Sequence, residues 1–506
     1  SFAQHRLWLL ERLQPSGAAY NLVLALRLSG PLDPAALAVA LAGVVDRHEV
    51  LRTRFSETAG GPWQEVLPAW APALPVIDFG SVPAALRDEA LRQLAQAAVR
   101  QPFDLAAAPP LRACLLRLEP GEHLFLLTLH HAVSDGLSQD ILRRELAALY
   151  TAAAEGRPSP LPGLALQYAD YALWQREWLG GETLAEQLLV WRRRLAGVPA
   201  LELPTDRPRP AVWTFRGAVH SAPLSADLAA ALHRLARREG ATPFMVVLAA
   251  FQTLLGRTSG QDDFAVGSPS ANRRPEVEGM VGFFVNMLPL RASLSGAPAF
   301  RGLLARVREA ALEAYGHQDL PFERLVEELA PERDLGRNPV FQVTFQLFHE
   351  APPPAFAGLA TAAVDPGTGT AKFDLSLEVV EGGGGLTAVW EYATDLFDAA
   401  TVRRLAGHLG SLLAGALAAP ETGLEDLPWL GAAERHQLLL EWNDTTGEPL
   451  QAEGVHRLVA QQARRRPEAL AVAAGGEELT YGELVHRAGL LARRLRGLGA
   501  GPEVLV

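Results

Sequence analysis

The sequence predicts an α/β protein with mixed sheets, and three observations carry that reading. Runs such as "EHLFLLTL" (122–129), "DFAVGSPS" (263–270), "VFQVTFQLF" (340–348) and "GLTAVWEYA" (385–393) have the length and the apolar, β-branched and aromatic content of strands. Longer stretches with apolar residues at helical spacing and capping residues at their ends lie between them. Strands interleaved with amphipathic helices pack as helix-on-sheet layers. Third, hydrophobic residues make up 49% of the 506 and charged residues 20%, the balance of a globular chain long enough for two to four domains.

Taken in order, Asp33 caps a helix with Pro34 at its first position, running to about His48. The segment "FDLAAAPPLRACLLRLEPGEHLFLLTLHH" reads as a hairpin turning at Pro120-Gly121. Ser138 is placed as the cap of a helix through "QDILRRELAALY", ended by Gly156. Another helical stretch runs from "LALQYADYALWQREWL" to about Leu195. The Pro- and Arg-rich run 203–217 cannot sustain a helix and is a first boundary candidate. Ser225 and Gly240 bracket the next helix, and Thr242, Pro243 and Gly256 the one after it. A second break is expected near 430–455, and "EGGGG" (381–385) reads as a turn between strands.

Forty-six basic against fifty-seven acidic residues leave a formal charge of −11, which excludes a sequence-independent nucleic-acid binder. Cys114 is the only cysteine, so no intrachain disulfide forms and a reducing, cytoplasmic compartment is expected. No uncharged apolar run of 18 residues predicts a membrane span. The start at "SFAQHRLW" without Met and the apolar finish "EVLV" read as a piece of a longer polypeptide.

Chemistry concentrates in "LHHAVSDGLS" (129–138), where the strand stops and a loop begins. An imidazole titrates near working pH, so one of His130 and His131 can handle a proton or position an amine. Adjacent residues on an extended strand point to opposite faces, so one histidine faces the substrate while the other supports the loop. Asp135 is either an acid–base partner or one half of a buried ion pair with an arginine. Gly136 lets a substrate chain pass close to the backbone. No G-x-S-x-G elbow, phosphate loop or H-E-x-x-H helix offers a competing chemistry.

Seven ordered segments together resemble a condensation domain of a nonribosomal peptide synthetase. They are "SFAQHRLWLLERL" (1–13), "RHEVLRTRF" (47–55), "LHHAVSDGLS" (129–138), "YADYALWQ" (168–175), "VGFFVNMLPLR" (281–291), "HQDLPFE" (317–323) and "RDLGRNP" (333–339). Further on, "LLLEWNDT" and the "LTYGEL" element (479–484) resemble the linker and truncated start of an adenylation domain. The resemblance implies two chloramphenicol-acetyltransferase-like lobes, 1–178 and 179–430, forming a V-shaped pseudodimer with a central tunnel. A linker (431–452) and an adenylation-domain fragment (453–506) follow. No cofactor is held tightly. Phosphopantetheine arrives on an upstream donor and a downstream acceptor peptidyl carrier protein, and the remainder of the adenylation domain is a further partner.

His131 matches the family's catalytic position, acting either as general base for the attacking amine or as the hydrogen-bond partner that orients it. His130 and Gly136 support the loop. Asp135 is assigned to a buried ion pair, with Arg291 first and Arg52 second, because a lone buried charge costs several kcal/mol. Asn286 either lines the site or is structural. Tyr168 and Trp174 are read as packing residues, and "HQDLPFE" as a loop fixed by Pro321 and Phe322. Leu137 and Met287 stand where the family commonly has an aromatic and a Thr, departures that bear on tunnel shape. Competing readings are an epimerisation domain of the same superfamily, disfavoured by "LTYGEL" downstream, and a non-catalytic docking module, disfavoured by the intact histidine motif.

Overall fold

The computed structural model describes residues 1–13, 17–58, 61–80, 82–107, 109–296, 298–329, 334, 336–350, 354–365, 367–383, 385–445, 454–501 and 504. Two compact units divide the chain, Ser1–Gly431 and Ala432–Val506. The expected break near 430–455 therefore falls at the junction, with 446–453 outside the described residues.

Two mixed sheets build the larger unit. The first has the strand order Ala360–Ala363, Asn21–Ser29, Glu122–His130, Leu111–Glu119, Val76–Asp78. Its hairpin turns at Pro120-Gly121 as expected, and Gly121 takes a positive φ of 82° there. The second runs Gly217–Leu224, Gly385–Ala393, Leu375–Gly382, Val343–His349, Asp263–Ser270, Asn286–Ser293. Val343–His349 is parallel to both of its neighbours, while the outer pairs are antiparallel. Strand Ala360–Ala363 comes from late in the chain yet pairs with Asn21–Ser29, in register Leu28 with Thr361. A second excursion puts Val277, Met280, Val281 and Phe284 into the apolar core of the first sheet.

Helix Pro34–Arg47 follows its sequence signals: the Asp33 carboxylate accepts from the Ala35 and Ala36 amides. Three other helical stretches depart from expectation for identifiable reasons. The helix after the histidine motif is Gly136–Ala154, capped by Asp135, not Ser138. Asp135 is three residues ahead of the Ser138 amide, the right reach for a side-chain cap, and leaves the Ser138 hydroxyl free for another segment's backbone. Helix Pro243–Ser259 runs through Gly256 and stops at Gly260, whose φ is 74°. Gly256 is there because a Cβ would overlap the Leu294 side chain. The helical stretch expected to reach Leu195 is two helices, Tyr168–Trp178 and Gly181–Leu195, broken at Gly180-Gly181. Run 203–217 is irregular, and within the larger unit its Arg209 donates to both carboxylate oxygens of Asp374.

The smaller unit contains helix Val455–Arg465, hairpin Leu470–Ala474/Glu477–Thr480 and helix Tyr481–Gly497. The "LTYGEL" element is the strand-to-helix corner, where Thr480 and Glu483 form a reciprocal cap. Among its described residues only Ala463 is buried, while Val455, Leu490, Leu491 and Leu498 are exposed. No single described helix is long and apolar enough to cross a membrane.

Candidate active site

Glu122–His130, the central strand of the first sheet, delivers the motif at its C-terminal end, and a 3₁₀ turn, His131–Val133, follows it. His130 is buried, and its Nδ1 accepts from the Ala132 amide at 3.1 Å. That fixes its proton on Nε2, which lies 3.8 Å from Glu11 Oε1. The Tyr20 and Phe103 rings pack beside it.

His131 is held differently. Its amide donates to the Tyr20 carbonyl (2.8 Å), and its Nδ1 is 2.8 Å from the Ser134 carbonyl oxygen. A carbonyl only accepts, so the proton sits on Nδ1 and the lone pair on Nε2. Among the described residues Nε2 has no hydrogen-bond partner. The Phe283 ring lies 4.6 Å away, centroid to centroid. Burial, then the Lys372 charge, push this imidazole down to a pKa of about 3. It is neutral at working pH. Gln4, from the opening helix Phe2–Leu13, donates to the Ala132 carbonyl and braces the turn.

Asp135 carries no proton-transfer geometry toward His131. One oxygen accepts from the Ser138 amide (2.8 Å) and from Arg273 Nη2 (2.9 Å), the other from the Phe284 amide (3.0 Å). Arg273 also donates to Ser138 Oγ and to the Val277 and Met280 carbonyls, and stacks on Phe284. With side-chain exposures of 4% and 1%, this is a buried ion pair whose carboxylate is fully engaged.

The partner expected for Asp135 is thus corrected. Arg291 instead pairs in bidentate fashion with Asp263, on the adjacent strand, and with the Arg194 and Ala196 carbonyls. Arg52, at the end of a 3₁₀ turn, donates to Glu49 and the Leu67 carbonyl. Each was one strand or one turn from a nearer acceptor. Asn286 Nδ2 donates to the Gln318 and Leu320 carbonyls and its Oδ1 accepts from Phe322 N–H, pinning the "HQDLPFE" loop. His317 in that loop faces Gln187 of helix Gly181–Leu195. A Cβ at Gly136 would meet no protein atom within 4 Å.

Sequence reasoning missed Arg273, Tyr20, Gly282 and Phe283 as parts of the site. No local signal sets Arg273 apart from the other arginines, because its partner Asp135 is 138 residues away in the chain. Gly282 is required because a Cβ would overlap the Tyr168 ring, whose hydroxyl donates to the Phe283 carbonyl at 2.6 Å.

A neutral imidazole with an available lone pair, at the end of a fixed turn, suits a reaction in which an amine must be oriented. Residues 1–439 match the sequence model of the family described as "Condensation domain". The chain belongs to that family. This condensation domain is 46% identical over its whole length to a linear gramicidin synthase of Brevibacillus parabrevis and 44% identical to chondramide synthase cmdD of Chondromyces crocatus. It spans 7% and 13% of those chains. The X-domain from teicoplanin biosynthesis superposes with a TM-score of 0.78 at 33% identity, covering 85% of this chain and 97% of that one. A four-domain nonribosomal peptide synthetase shares the fold across 99% of this chain and 39% of its own, with a TM-score of 0.81 at 23% identity.

Proposed function

We propose that this condensation domain joins a donor acyl or peptidyl thioester to an acceptor aminoacyl amine, each tethered by phosphopantetheine to its own carrier protein, upstream and downstream. In this reading the two lobes, divided near residue 178, form a V with the His131 turn in a tunnel between them. The observation that carries the proposal is the state of His131. Its Nε2 lone pair is available and its pKa is about 3. An α-ammonium, with a pKa near 8, would transfer its proton to such an imidazole only at a cost of several kcal/mol. His131 therefore takes a hydrogen bond from the neutral amine, aims its lone pair at the thioester carbon, and receives the proton only as the C–N bond makes that nitrogen acidic.

Residues 453–506 are proposed as the opening of an adenylation domain, joined through 431–452. The exposed apolar side chains of its helices support this, since they lack a core of their own. A cytoplasmic setting follows from the single cysteine.

The test is single-turnover mass transfer between two loaded carrier proteins, followed by intact-protein mass spectrometry. Wild-type chain should move the donor mass to the acceptor, and a folded His131→Ala variant should lose that transfer by ~10²-fold or more. Undiminished transfer by the variant removes His131 from the mechanism. Exchange of the donor's alpha proton without transfer would identify an epimerisation domain.

A further inference from the structure

Of the forty-six basic residues in this chain, forty-five are arginine and one is lysine, Lys372. Among the described residues, each ion pair not made by a histidine is made by a guanidinium, on the surface as at Arg54–Glu65 and in the interior as at Arg273–Asp135. Lys372 thus supplies a compact point charge, which a planar guanidinium fork does not match. Lys372 stands in the short loop between the irregular segment ending at Ala371 and strand Leu375–Gly382. That loop is fixed on every side. Ala371 N–H donates to the Phe215 carbonyl, Asn338 donates to the Lys372 carbonyl, and Asp374 is held by Arg209 and by the Gln342 carbonyl.

From there the side chain crosses to the first sheet. Its ammonium lies 5.7 Å from the centroid of the Tyr20 ring, and Tyr20 is the residue whose carbonyl holds the His131 amide at 2.8 Å. The charge is felt at the His131 imidazole. Burial holds the Lys372 ammonium below the usual lysine range, and two carboxylates on the neighbouring strands, Glu391 and Glu378, act against it by favouring the charged form. Neither comes within ion-pair distance, and among the described residues the ammonium makes no hydrogen bond. A half-buried cation with three N–H donors and no protein acceptor is costly unless an oxygen is supplied during function.

We propose that Lys372 is a catalytic residue: its ammonium takes the carbonyl oxygen of the donor thioester and holds the oxyanion while the acceptor amine adds beside His131. This rests on the amide-forming function proposed above. In the step, the amine lone pair forms the C–N bond and the carbonyl π pair moves onto oxygen, where the Lys372 N–H groups stabilise it. The oxyanion re-forms the carbonyl and expels the phosphopantetheine thiolate. The proton released from nitrogen passes through His131 Nε2 to that thiolate, so lysine ends the cycle unchanged. The Tyr20 ring contributes a face that holds the cation without neutralising it.

The experiment compares wild-type chain, His131→Ala, Lys372→Met and Lys372→Ala in the same single-turnover assay, with melting temperature and carrier-protein affinity measured for each. Lys372→Met keeps the length and apolar stem of the side chain. It should lower the transfer rate by ~10²–10³-fold, as loss of one oxyanion donor does, with carrier affinity unchanged. The Lys372→Ala variant should regain rate in added trimethylammonium, which donates one N–H and forms no stable amide. Tetramethylammonium, lacking that N–H, should restore nothing. Wild-type rates in Lys372→Met, or a loss in Lys372→Ala that trimethylammonium does not relieve, overturn the assignment. Should the Met variant be destabilised, the comparison of the two ammonium ions in the Ala variant decides. If wild type transfers and His131→Ala does not, a normal Lys372→Met refutes this inference alone; a wild-type chain that never transfers refutes the functional reading.

Discussion

His131 owes its chemical state to three contacts made before substrate arrives: the Ser134 carbonyl that fixes its tautomer, the Tyr20 carbonyl that fixes its backbone, and the Phe283 ring against its side. Because its pKa is pushed down to about 3 from the ordinary 6.5, protonation does not limit it at neutral pH. The transfer rate should show no acid limb from this histidine between pH 5 and 8, and a limb near 6.5 abolished by His131→Gln would contradict that. The linkage has a definite sign. The unfolded chain binds the proton below about 6.5 and the folded chain does not until about 3, so this group's contribution to stability is full above 6.5 and falls as pH drops toward 3. His131→Gln should accordingly flatten the acid side of a stability–pH curve. Beside it, Asp135 and Arg273 are paired without solvent. Arg273→Met leaves a buried carboxylate alone and should cost about 3–5 kcal/mol in denaturant unfolding. Asp135→Asn added to it should cost much less than a second such loss, because the uncompensated charge is gone. Additive losses in that double-mutant cycle would show that the pair is not coupled.

At the scale of elements, the site is a junction in which a strand, a turn and a helix of the first sheet are locked by a loop from the second half of the chain. Ser138 Oγ donates to the Gly282 carbonyl and accepts from its amide, and the Tyr168 ring packs against the same glycine. Gly282→Ala should force the two apart, costing about 1–3 kcal/mol and lowering the transfer rate together with stability; a variant of unchanged melting temperature would refute the packing argument. The same junction explains what could be read from sequence. Asp33 and Thr242 cap within a few residues of the atoms they bind, so their helices were legible, as was the Pro120-Gly121 turn. Arg273 is 138 residues from Asp135, and nothing local distinguishes it from Arg291 or Arg52. Gly256 and Gly260 look alike as helix stops in sequence; the folded chain tells them apart, with Leu294 packed where a Gly256 Cβ would be and Gly260 in the left-handed conformation.

On the scale of the whole molecule, Ser1–Gly431 contains both large sheets and almost every buried apolar side chain, whereas Ala432–Val506 buries one described residue, Ala463. A chain ending at residue 431 should unfold with the same midpoint as the full chain and keep amide formation. The isolated 432–506 segment should lack cooperative unfolding and succumb rapidly to protease. A midpoint lowered by the truncation would mean that the two units stabilise each other.

The strand Ala360–Ala363 has a consequence for anyone recombining such synthetases. Cutting the gene between the halves, at any codon near 178 or within 203–217, leaves Asn21–Ser29 of one parent hydrogen-bonded along an edge supplied by the other. Phe356 of the incoming half must also fill a hole in the resident core, against Tyr150. A chimera that respects linear order therefore carries a mismatched seam within a sheet. The exchangeable module is discontinuous: the first half of the chain together with its borrowed strand.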